Sequence, residues 1–78
     1  MLSMATAQSA SVVPDDGDWS VKVHGERVAG PFGTQREAID AARTWLLGNG
    51  GGELVVLGED GKIRQKDTIG RPDPRGGG

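Results

Sequence analysis

A handful of residues in this sequence have types and spacings that chemistry could use. Gly48-Asn49-Gly50-Gly51-Gly52 resembles a loop that cradles phosphate. Glycine-rich nucleotide motifs, however, run from a strand into a helix whose N-terminal amides face the phosphate. Here the glycines follow a helical pattern and precede an apolar run, and no Gly-Lys-Ser/Thr follows. They read as a helix cap with a flexible connection. Asp15, Asp16 and Asp18, with Glu26 further on, suggest calcium. Counted from Asp15, though, the third and fifth positions are Gly17 and Trp19, neither of which has a carboxylate or amide oxygen to offer. His24 is the single histidine, with Glu26 across a turn and Ser20 two pleats away, and no nucleophile is placed to use it. Glu59 and Asp60 flank a turn and read as turn chemistry. Trp19 and Trp45 could stack on bases, but each falls on the apolar face of its own element and is expected to meet the other in the core.

What is missing narrows the choice further. The chain has no cysteine, which removes disulfides, Cys-based zinc sites and thiol nucleophiles. One histidine removes every His-pair metal motif. No catalytic, cofactor-binding or metal-binding residue is assigned, and neither enzyme activity, a cofactor nor a small-molecule substrate is expected.

The cations are the more informative group. Lys62 to Gly78 carries five bases and two acids, on a chain whose net charge is −2. Lys62, Arg64 and Lys66 fall on one face of a strand. Sharing the open face of a sheet with Lys22 and His24, they would form a cationic stripe. With Arg71 and Arg75 on the tail, the set Lys22, Lys62, Arg64, Lys66, Arg71 and Arg75 offers phosphate contacts, the nucleic-acid alternative. Against it stand the acidic balance, the lack of an aromatic on that face and the lack of a recognised motif. The same face carries Val55 and Leu57. A strand apolar on both sides is usually covered on both, and one helix covers only one. Val55, Leu57, Lys62, Arg64 and Lys66 are therefore the expected protein-contact residues, for a partner or for self-association as a homodimer.

The elements that must position these residues are few. Seventy-eight residues with 35% hydrophobic content and 14 glycines allow one small domain. Residues 1–17 read as a disordered leader, 18–69 as the domain and 70–78 as a disordered Gly/Pro/Arg tail. The leader lacks the basic and apolar regions of a secretory signal, and no apolar run is long enough to span a membrane, so a cytoplasmic protein is expected. Trp19-Ser20-Val21-Lys22-Val23-His24 alternates as a strand, and a tight His24-Gly25 turn leads into Glu26 to Gly30 as a second. Thr34 and Glu37 form a capping box for a helix to Leu47, stopped by Gly48. Ala38, Ile39, Ala41, Ala42, Trp45 and Leu46 share its apolar face, with Arg36, Asp40 and Arg43 opposite. Leu54 to Leu57 and Lys62 to Ile69 flank an Asp60-Gly61 turn. The expectation is an α+β fold, ββαββ, one helix on a small antiparallel sheet. Its core is Trp19, Val21, Val23, Val28, Phe32, Ala38, Ala42, Trp45, Leu46, Leu54, Val56 and Ile63.

Several segments occur in an order that carries a resemblance. They are Trp19-Ser20-Val21-Lys22, Glu37-Ala38-Ile39 with Ala42-Arg43, Gly51-Gly52-Glu53-Leu54-Val55, and Asp60-Gly61-Lys62-Ile63 with Lys66-Asp67, then Gly70 and Pro74. Over roughly Trp19 to Pro74 the chain resembles the short bacterial domains of domain-of-unknown-function family 2188. The resemblance implies the fold boundaries and brings no activity, ligand or site residue with it.

Overall fold

The structure is a computed structural model and describes residues 8–70. Its elements are β1 (Gln8–Asp15), β2 (Asp18–Val23), β3 (Glu26–Phe32), α1 (Gln35–Gly48), β4 (Gly52–Leu57) and β5 (Ile63–Ile69). The strands form one sheet in the order β3-β2-β1-β4-β5, and α1 packs on it, touching all five. The α+β class with a single helix matches the sequence.

The sheet differs from expectation in one strand. β1 lies within the segment read as a leader, and it occupies the centre. It pairs antiparallel with β2, Val12 opposite Val21, and parallel with β4, Val12 opposite Val56. The sheet is therefore mixed. The cause is local: Ala10 and Val12 point to one face and are fully buried, and Asp16-Gly17 turns the chain back into β2. Their φ angles of 56° and 89° are those of a two-residue hairpin turn. His24 and Gly25, at 54° and 80°, make the same turn between β2 and β3, as the spacing predicts. Residues 1–7 of the leader and 71–78 of the tail lie outside the described residues.

The buried core is Ala10, Val12, Val21, Val23, Ala38, Ala42, Leu46, Leu54 and Val56. Small Ala38 and Ala42 let α1 approach the sheet closely. Trp19, Phe32 and Trp45 are half-buried against this core. The two tryptophans do not meet as expected: Trp19 lies by Gln35 at the start of α1 and Trp45 sits in its last turn. Val28 and Ile63 are corrections too, at 37% and 64% exposure. Each stands at a register shift, which turns its side chain off the helix-covered face.

Thr34 caps α1 as predicted, its hydroxyl oxygen accepting from the Glu37 amide at 3.1 Å. The helix runs through Gly48 instead of stopping before it, and Asn49 is the C-cap. The Asn49 side chain donates to the Trp45 carbonyl (2.8 Å), and the Gly51 amide donates to that of Leu46 (2.6 Å). From β1, the Gln8 amide group donates to the carbonyls of Asn49 (2.6 Å) and Gly51 (3.2 Å). The glycine run is thus tied to the first residue of the central strand.

Candidate interaction face

The face of the sheet away from α1 is read from its register. One row crosses all five strands: Arg27, Lys22, Ser11, Val55 and Lys66 are successive neighbours. Val13 follows Ser11 on this face opposite Ser20, and Leu57 follows Val55 opposite Ile63. Val13 and Leu57 lie side by side, one step beyond the Val12–Val56 pair. Val13, Val55 and Leu57 are half-buried although no described element covers them, and Ile63 is more open still. Together they make an apolar strip. Lys22 and Lys66 flank it, three strand spacings or about 14 Å apart.

At one end of the face sits a polar group. Ser20 is fully buried because Gly30, at φ 102°, passes close over it; a Cβ there would lie 3.1 Å from the Ser20 hydroxyl. That hydroxyl donates to the Asp15 carboxylate at 2.6 Å, and Arg27 donates to the same oxygen at 3.2 Å. The Ser20 hydrogen bond holds the Asp15 carboxyl below the usual carboxylate range. Partial burial works against it, and Arg27 and Lys22 reinforce it. Ser20 is thus committed to Asp15, and His24 occupies an exposed turn. Glu53 accepts from the Thr68 hydroxyl at 3.1 Å.

The structure separates the cations that the sequence grouped. Lys66 lies on the open face beside Val55. The register shift between Val56 and Leu57 leaves Arg64 as the extra residue, and its side chain folds over Gly58 into a hollow with Trp19 and Gln35. Lys62 belongs to the β4–β5 turn: its amide donates to the Asp60 carboxylate (3.0 Å) and its carbonyl accepts from Gly58 (2.9 Å). Arg71 and Arg75 lie outside the described residues. Val55 and Leu57 are on the open face as predicted. Ser11 and Val13 join it from β1, which lies in the segment that the sequence marks as leader, and Arg27 joins it from β3, opposite Lys22. Two signals mark β1: the alternation of Ser9, Ser11 and Val13 with Ala10 and Val12, and the Asp16-Gly17 dipeptide.

The hollow beside Arg64 holds about 410 Å³ and opens to solvent between Trp19, Gln35, Glu59 and Asp60. A smaller one of about 200 Å³ shares Trp19 and Glu59. Among the described residues no three His, Cys, Asp or Glu side chains come together to hold a metal ion. The glycine run sits at the C-terminal end of α1, whose partial negative charge disfavours phosphate. No helix among the described residues is long and apolar enough to cross a membrane.

Among the described residues, fold and face define a small α+β domain with one helix on one side of a mixed sheet and no element on the other. The chain belongs to the family described as "Uncharacterized protein conserved in bacteria (DUF2188)", whose model matches residues 10–69. Comparison with curated proteins and with solved structures finds no match.

Proposed function

We propose that this chain is a non-enzymatic binding module that makes protein–protein contacts through the open face of its sheet. The observation that supports this reading is the apolar strip of Val13, Val55, Leu57 and Ile63 on the side that α1 leaves bare. Burying a valine or leucine side chain contributes roughly 1.5–3 kcal/mol. That is a large gain for a domain whose total stability is on the order of 5 kcal/mol. Lys22 and Lys66 flank the strip, so the favoured partner is a protein carrying apolar side chains inside an acidic border. A second copy placed face to face would set cations against cations unless Glu53 interleaves. The nucleic-acid alternative loses support from the separation of Lys62, Arg64 and Lys66 described above.

The test replaces Val55 and Leu57 together by threonine. The wild type should retain a protein from a nuclease-treated lysate of its own cell, or sediment as a dimer. The double variant should lose that behaviour while its circular dichroism stays unchanged. A wild type that stays monomeric at high micromolar concentration and retains no protein overturns the reading. Retention that disappears with nuclease treatment also overturns it, in favour of nucleic acid.

A further inference from the structure

The two hollows share Trp19 and Glu59 as walls, but their charges differ. Arg64 lines the larger one, together with Gln35 and Asp60. The smaller one is lined by Pro14, Gly17, Asp18, Trp19 and Glu59, so its charged residues are two acids and no base. Pro14 and Trp19 stand directly opposite one another across the β1–β2 pair. They follow the buried Val12–Val21 pair on the side of the sheet that α1 packs on. Gly17 and Asp18, at the end of the β1–β2 hairpin, and Glu59, between β4 and β5, complete the hollow, and all three are exposed.

The acids at this end of the sheet fall into two groups. Asp15 is held by Ser20 and Arg27, and Asp60 accepts from the Lys62 amide. The side chains of Asp18 and Glu59 have no hydrogen-bond or ion-pair partner among the described residues. Carboxylates attract a cation by charge and an indole attracts it through its ring quadrupole, so the lining favours positive charge. Cations differ in what they need. A metal ion wants a fuller set of ligands, and among the described residues no three His, Cys, Asp or Glu side chains come together. A quaternary ammonium has no proton to donate to a carboxylate and is held by several rings, whereas Trp19 is the one aromatic residue in this lining. A primary ammonium is strongly hydrated and gives up more water on entering. A guanidinium is planar and weakly hydrated, stacks on an aromatic face and donates through a fixed fork to carboxylates. It is the cation that uses the ring and both acids.

We propose that this smaller hollow binds a guanidinium group, with Trp19 as the stacking face and Asp18 and Glu59 as the acceptors. It stands apart from the open-face reading, because the hollow lies on the helix side of the sheet. The experiment uses the full chain, isotope-labelled for NMR, in which the indole N–H groups of Trp19 and Trp45 give separate signals. It is titrated with a capped Gly-Arg-Gly peptide and with the same peptide carrying citrulline, the neutral isostere, or lysine. Ethylguanidinium and tetramethylammonium are titrated alongside. The arginine peptide should shift the Trp19 indole and the amides of Gly17, Asp18 and Glu59, and leave the Trp45 indole unmoved. The citrulline peptide and tetramethylammonium should be silent, and the lysine peptide should bind more weakly. Glu59→Gln, at an exposed turn, should weaken arginine binding about tenfold, and Asp18→Asn should weaken it as well. Tighter binding of the peptide than of ethylguanidinium would support the proposal with a protein-borne arginine as the source, and equal binding would support it with a free guanidino compound. Silence of both at about ten millimolar overturns it. An equal response to citrulline, lysine or tetramethylammonium also overturns it, as do full affinity in Glu59→Gln and shifts spread over all the acidic residues. Shifts confined to the open face overturn it while leaving that reading intact.

Discussion

Two glycines at either end of one short run carry opposite constraints. Gly48 lies within α1 with open space where a Cβ would go, and its φ is an ordinary helical one. Gly48→Ala should therefore raise stability by about 0.4–1 kcal/mol, since alanine has less freedom to lose on folding. At Gly52 a Cβ would run into the Gln8 carbonyl oxygen and come within 3.1 Å of the Leu46 side chain. Gly52→Ala should cost more than about 1 kcal/mol, because the obstacle is backbone in the central strand. Thermal melts of the two variants should move in opposite directions. The sequence showed five residues of loop composition here, but which of them needs to be glycine depends on where β1 lies. Asp15 gives a pH signature at the same scale. Its folded pKa is lowered, chiefly by the Ser20 hydroxyl. Its stabilisation is thus complete above the unfolded carboxylate pKa of about 3.9 and is lost as pH falls through the lower folded value. Asp15→Asn should flatten the acid limb of a stability–pH curve at that position, and an unchanged limb would refute the assignment.

Local signals were legible wherever one short stretch held both halves of the pattern. Thr34 with Glu37, the apolar face Ala38, Ala42 and Leu46, and the turns His24-Gly25 and Asp60-Gly61 all appear where the spacing places them. Thr34→Ala removes the hydroxyl that accepts from the Glu37 amide and should cost about 1 kcal/mol, read from denaturant unfolding. β1 was not legible in the same way. Serine and alanine fill most of its first half, and its burial comes from β2 and β4 on either side of it, not from its own composition. The register shifts were hidden for a related reason. An extra residue in a strand changes which face the rest occupies, and strict alternation from Lys62 onward placed Ile63 and Arg64 on the wrong sides.

For the molecule as a whole, the open face was half visible. Val55 and Leu57 lie where an apolar run in β4 predicts them, and Val13 completes the strip from a strand the sequence reading did not see. The expected cationic stripe assumed unbroken pairing, and the one bulge in β5 divided it. The central pairing of β1 with β4 also shapes how the chain is made. Gln8 is synthesised early and meets Gly52 only after about forty more residues have left the ribosome, a long loop to close. Until then the first strands and the helix have no β4 to complete their core, and Leu54 and Val56 have nothing to pack on. The two parts therefore complement one another. Cut between Asn49 and Gly50, the pieces 1–49 and 50–78 should each be largely unstructured alone and should regain the sheet when mixed, as followed by circular dichroism. Fused to two other proteins, they would report whether those proteins meet.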